Sequence, residues 1–170
     1  MKKYYGKWLI TFIIVALALI FSGVFLYAER SKKSEDQIKE IDGPIKWYSY
    51  DEGMALGKRQ GKKIFLYFWA EWCAFCKKME RETFNKSLVA SNLNKNFISI
   101  KVNSEKERKT SSLYNVRGFP TSWFLTENGE IISSLPGYIP PDMFLYILKF
   151  IHSDSYKKMT FGDYLKSMKK

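Results

Sequence analysis

The chain has 170 residues, 46% of them apolar and 17% aromatic, with a formal charge of +11 at pH 7. That is material for one packed domain plus an appendage. The charge is not a nucleic-acid signature, because no basic stripe with interleaved aromatics runs through the middle of the chain. Most of it sits at the ends: Lys2, Lys3, Lys7, Arg30, Lys32 and Lys33 against Glu29, and Lys157, Lys158, Lys166, Lys169 and Lys170 against Asp154 and Asp163. Anionic lipid headgroups are the simplest partner for basic charge placed that way.

Trp8 to Ala28 is an uncharged run broken only by Thr11, Ser22, Gly23 and Tyr27. Roughly 20 apolar residues cross a bilayer as one helix. A cleaved signal would have a shorter apolar core, about 7–15 residues, and small side chains before the cut. Leu26-Tyr27-Ala28 is bulky there, so residues 1–28 read as an uncleaved anchor rather than a signal sequence. No cysteine lies near its end, which excludes lipoprotein processing. The flanking charges nearly tie. The short basic N-terminus favours an N-in, single-pass arrangement in the cytoplasmic membrane. The bulk of the chain then lies outside the cytoplasm, in the periplasm of a Gram-negative cell.

Residues 29–43 are polar, without an apolar period, and read as a tether. A folded domain spans residues 44–152, and residues 153–170 form a basic amphipathic tail. Ile45 and Trp47 begin a short strand. Tyr50 to Gln60 reads as a helix with Met54 and Leu56 inward, ended by Gly61. Ile64 to Trp69 is short and rich in β formers, so it reads as a central buried strand. Cys73 to Phe84 continues as a helix. Ser87 to Leu93 is a second helical piece with Ser87 as its cap. Phe97 to Val102 is a strand, and Glu105 to Leu113 a surface helix. Ser122 to Thr126 and Ile131 to Leu135 pair around an Asn128-Gly129 turn. Pro140-Pro141 starts a helix through Ile151, with Phe144, Ile147, Leu148 and Ile151 at helical spacing. The order β α β α β α β β α implies an α/β fold: a mixed sheet with a parallel core, an antiparallel edge hairpin and flanking helices. Thr160 to Asp163 resembles a capping box. The tail behind it either packs back on the domain or lies on lipid.

The stretch Phe68-Trp69-Ala70-Glu71-Trp72-Cys73-Ala74-Phe75-Cys76 organises the chemistry. Cys73 and Cys76 are the only cysteines. A thiol at the first turn of a helix faces unpaired N–H groups and the positive end of the dipole, and both favour the thiolate. A second thiol one turn on can resolve the mixed disulfide that the first one forms. A structural disulfide closing so short a loop would constrain little chain entropy. A metal site would usually need four ligands, and His152 is the single histidine.

Trp72-Cys73-Ala74-Phe75-Cys76 after a buried strand, with Gly118-Phe119-Pro120-Thr121 far downstream, resembles the thioredoxin superfamily. The match runs from about Trp47 to Ile151. The resemblance implies a cis peptide before Pro120. It also implies that Phe119 presents backbone groups to an extended substrate beside the cysteines, with Trp72 shielding the site. The sequence around the cysteines looks like the C-terminal thioredoxin-like domain of the DsbD transmembrane reductant conductors. That likeness makes Glu80 a tuner of the thiols. One departure stands out: the buried Asp that those proteins carry six residues before the first cysteine is here Tyr67, so Glu80 or Glu71 would have to accept the proton. The implied activity is thiol–disulfide exchange with Cys73 as the more exposed nucleophile and Cys76 resolving. The Cys73–Cys76 pair itself serves as redox centre without another cofactor. No histidine stands beside Cys73, which favours the reductive direction. The implied partners are disulfide-bearing proteins and an upstream membrane electron donor of DsbD type. Competing readings are a non-catalytic tethered binding or chaperone module, whose cysteines hold a copper ion or do nothing catalytic, and an oxidase or isomerase.

Overall fold

The computed structural model describes residues 43–168. The anchor expected at Trp8–Ala28 lies outside them, as does nearly all of the tether. Among the described residues no helix is long and apolar enough to cross a membrane.

A five-stranded sheet carries the fold, in the order β1-β3-β2-β4-β5. Its strands are β1 (Trp47–Tyr48), β2 (Lys63–Trp69), β3 (Phe97–Asn103), β4 (Thr121–Leu125) and β5 (Ile131–Pro136). β1, β3 and β2 are parallel; β4 runs antiparallel to β2, and β5 antiparallel to β4. The expected parallel core with an antiparallel edge hairpin is therefore observed. β2 is central because both of its faces are apolar. Phe65 and Tyr67 point to one side and Ile64, Leu66 and Phe68 to the other, all fully buried. Burying a side chain of that size contributes about 1.5–3 kcal/mol.

The first face is an aromatic block. Phe65 touches Phe84, Phe124 and Phe144 at centroid distances of 5.9, 5.4 and 5.3 Å. It is covered by α2 (Ala74–Met79) with its continuation, by α3 (Ser87–Asn96) and by α5 (Pro141–His152). The second face holds Ile64, Leu66, Phe68, Ile98, Ile100 and Val102. There α1 (Tyr50–Gln60) lies very close to the strands. A Cβ on Gly53 would collide with the Ile100 side chain, and one on Gly57 would come within 2.8 Å of Ile64. These glycines, with Leu56, form the buried side of the helix, and Met54 is only partly covered. Gly61 ends α1 in the left-handed region, at φ 62°, as its position suggests.

Three local expectations need correction. Ser87 does not cap α3: it is the first helical residue, and Lys86 before it makes no side-chain cap bond. The helix expected from Glu105 starts later, as α4 (Arg108–Leu113). The Asn103 carboxamide oxygen accepts the N–H groups of Glu105 and Lys106 at 3.0 and 3.4 Å, holding a turn where helix was expected. The helix after Cys73 is not uniform either. It is α-helical to Met79 and then widens into a π turn, Glu80–Phe84, closed by the Asn85 N–H on the Glu80 carbonyl.

The C-terminal tail folds back on the domain. Thr160 caps α6 (Phe161–Ser167) by accepting the Asp163 N–H. Phe161 and Tyr164 then pack on Phe150 of α5, at 5.3 and 5.2 Å between rings.

Candidate active site

β2 ends at Trp69, and Ala70 to Trp72 turn the chain into α2. Cys73 sits at the N-cap of that helix with extended backbone, and its sulfur accepts the Cys76 N–H at 3.0 Å. The two cysteines form a disulfide, with Cα atoms 5.2 Å apart. A backbone donor aimed at a sulfur favours its ionised form once the bond is reduced. The expectation that Cys73 is clearly the more exposed sulfur meets residue exposures of 3% for Cys73 and 1% for Cys76. Ala70, Trp69 and Phe119 pack over the pair and cover both in this disulfide state.

The second segment comes from the other half of the chain. The Phe119-Pro120 peptide is cis, at the mouth of β4. Thr121 begins β4, pairing with Phe68, and its hydroxyl donates to the Gly118 carbonyl at 2.7 Å. The Gly137 N–H donates to the Pro120 carbonyl at 2.7 Å. Among the described residues no hydrogen bond involves the main chain of Phe119. The Trp72 and Phe119 rings meet edge to face at 5.8 Å. Trp72 is 69% exposed, and Phe75, between the cysteines, is 60% exposed. Together they leave an exposed apolar patch beside the disulfide. Phe75 carries no signal in the sequence that separates it from a core residue.

The two carboxylates considered as proton acceptors diverge. Glu71 turns away onto the β3–α4 loop, where it pairs with Lys106 at 2.9 Å and accepts from Asn103 at 3.4 Å. The Lys106 contact holds its carboxyl below the usual range. Glu80 follows Cys76 by one turn and bonds Lys101 of β3 at 2.7 Å. Nothing in the sequence singles out Lys101; only the parallel register, which sets it beside Tyr67, brings it there. Tyr67 lies fully buried with no partner for its hydroxyl. Burial pushes its ionisation far up, and the negative charge of Glu80 adds to that. It is therefore a poor substitute for a buried carboxylate base. His152 stands far from the cysteines, near Phe97 where β3 begins. Among the described residues no group of His, Cys, Asp or Glu could hold a metal ion.

A sheet of this order, with a Cys-x-x-Cys disulfide at a helix start beside a cis-proline loop, defines a thioredoxin-like domain. The chain belongs to the family described as "Thioredoxin-like domain", which it matches over residues 50–152. It is 32% identical over 91 residues to the thiol:disulfide interchange protein DsbD of Actinobacillus pleuropneumoniae, covering 51% of this chain and 16% of that protein. It is 41% identical over 58 residues to protein disulfide isomerase-like 5-2 of Oryza sativa subsp. japonica, 34% of this chain and 14% of that one. The chain therefore spans less than a fifth of the length of either relative. Among solved structures, the thioredoxin from Thermus thermophilus superimposes with a TM-score of 0.59 at 26% identity, covering 64% of this chain and 88% of that one.

Proposed function

We propose that the chain is a thiol:disulfide oxidoreductase that reduces disulfides in proteins outside the cytoplasm. The observation that carries this reading is the Cys73 sulfur at the start of α2, accepting the Cys76 N–H. In the reduced protein that donor and the helix end stabilise the Cys73 thiolate. The thiolate attacks one sulfur of a substrate disulfide, and the other substrate sulfur leaves as a thiolate. Cys76 then loses its proton and attacks the Cys73 sulfur of the mixed disulfide. The Cys73–Cys76 bond forms, the second substrate sulfur departs, and two electrons have passed to the substrate.

The substrate chain lies across Trp72, Phe75 and Phe119 and borrows the main chain of Phe119 beside Pro120. Ala74 and Phe75 place no cation next to Cys73, which favours a reducing rather than a strongly oxidising pair. A membrane electron donor of DsbD type supplies the electrons, a reading supported by the 32% identity to DsbD over 91 residues. The apolar run of residues 8–28 serves as a single membrane anchor, with the domain on the outer side.

Reduction of insulin by the full-length protein in detergent, with dithiothreitol as the electron source, tests the reading. Acceleration over dithiothreitol alone is expected, with its loss in Cys73→Ser. An unchanged rate in Cys73→Ser overturns it. A reduction potential near about −120 mV would instead assign an oxidase.

A further inference from the structure

The four residues between β5 and α5, Gly137 to Pro140, are bonded to both halves of the site. At one end the Gly137 N–H donates to the Pro120 carbonyl at 2.7 Å, with Gly137 in the left-handed region at φ 88°. At the other end the segment is fixed to the π turn Glu80–Phe84 that continues α2. The Thr83 side chain is fully buried, and its hydroxyl donates to the Ile139 carbonyl at 2.7 Å. The Tyr138 hydroxyl donates to one Glu82 oxygen at 2.9 Å, and the Lys78 ammonium lies 4.4 Å over the Tyr138 ring. Arg81 takes the other Glu82 oxygen at 3.1 Å, so the carboxylate is held from two sides. The bond to Tyr138 keeps the Glu82 carboxyl below its usual range and the Tyr138 hydroxyl above its own, so donor and acceptor stay in the states that the bond needs.

We infer that Gly137–Pro140 is a brace that fixes the cis-proline loop against the cysteine helix, with Thr83 and Tyr138 the positioning residues that fasten it. This rests on the redox reading above and adds no covalent step to it. The pairing of Thr121 with Phe68 holds the root of the loop, and the brace holds its other side through the Pro120 carbonyl. A protein substrate has to meet the main chain of Phe119 and the Cys73 sulfur at once, so it is sensitive to the distance between loop and helix. A small disulfide meets only the sulfur and is not. Loosening the brace therefore weakens the binding of a chain and leaves the chemistry of the sulfurs as it was.

Tyr138→Phe keeps the ring under Lys78 and removes only the donated bond; Thr83→Val removes the buried hydroxyl at nearly constant volume. With the full-length protein in detergent and dithiothreitol as the electron source, Tyr138→Phe is expected to raise KM for insulin about threefold to fivefold, with kcat within about twofold of the parent. Thr83→Val is expected to raise KM by about tenfold, and Thr83→Ser to keep the parent value. The stopped-flow rate of the pre-reduced protein with glutathione disulfide should stay within about twofold in every variant. Equal losses on both substrates, a fall in kcat at constant KM, or no change in either Tyr138→Phe or Thr83→Val overturns the inference. Should Thr83→Val fail to fold, Tyr138→Phe decides alone. Hydrogen exchange of the Gly137 amide reads the brace without turnover, and it is expected to quicken about fivefold in Tyr138→Phe. A chain that reduces no disulfide yet shows this quickening overturns the redox reading and leaves the brace standing; an unchanged exchange rate overturns the brace.

Discussion

Trp72 and Phe119 meet edge to face, 5.8 Å between ring centroids, though they come from opposite halves of the chain. The contact ties the cysteine turn to the cis-proline loop and leaves Trp72 mostly open to solvent. With Phe75 it makes an apolar rim around a disulfide that is itself covered.

The proposed function has this rim act on substrates that have a chain to lay across it. Trp72→Ala and Phe75→Ala are each expected to lower kcat/KM for a protein disulfide by about tenfold, the equivalent of roughly 1.4 kcal/mol. Reduction of glutathione disulfide should change little. Steady-state kinetics on the two substrates side by side make the comparison. Equal losses on both would show that the aromatics act on the sulfurs and not on the substrate.

The proposed order of attack rests on helix position. Cys73 is the N-cap of α2 and Cys76 lies inside its first turn, both being buried in the disulfide state. Cys76→Ser should accumulate mixed disulfides with partner proteins through Cys73, visible on non-reducing gels and by mass spectrometry. Recovery of such adducts through Cys76 from a Cys73→Ser variant would reverse the assignment.

Tyr67 presents a separable test. Its hydroxyl is buried without a partner, so it contributes no hydrogen bond to offset its desolvation. Tyr67→Phe is expected to leave stability at pH 7 unchanged or raise it by up to about 1 kcal/mol. Burial raises the folded-state ionisation above the unfolded value of about 10. Between the two values the unfolded chain has released a proton that the folded chain still holds. Stability therefore falls as pH rises above about 10, and Tyr67→Phe should flatten that alkaline limb. Denaturant titrations at neutral and alkaline pH read both effects. A loss of several kcal/mol at pH 7 would mean that the hydroxyl has a partner after all.

Gly53 sets the distance between α1 and the sheet. Alanine ordinarily gains about 1 kcal/mol over glycine inside a helix. Here its Cβ would run into Ile100, so Gly53→Ala is expected to destabilise by about 1–3 kcal/mol. Ile100→Val in the same background should restore part of the loss, as measured by urea midpoints. A stabilised Gly53→Ala would show that the helix moves outward at little cost.

Much of this molecule is legible along the chain. β2 announces itself because a short, almost wholly apolar run has to be buried on both faces, and such strands sit at the centre of a sheet covered on both sides. Asn128-Gly129, Gly61 and Pro140-Pro141 mark their boundaries by backbone chemistry that acts over a few residues. The helix start at Cys73 is equally local, since the change from an apolar strand to a polar helical pattern places the thiol at the N-cap.

What the sequence determined by itself, then, was whatever depends on neighbours along the chain: the strands, the helix ends, and a pair of thiols one turn apart. Tertiary structure alone decided which charges answer one another. Glu71 went to Lys106 and Glu80 to Lys101 because strand register and the widened turn after Met79 set those distances, and neither is written in local propensity. The aromatic rim was decided the same way, since whether Phe75 and Trp72 are core or surface depends on what the folded chain leaves uncovered above them.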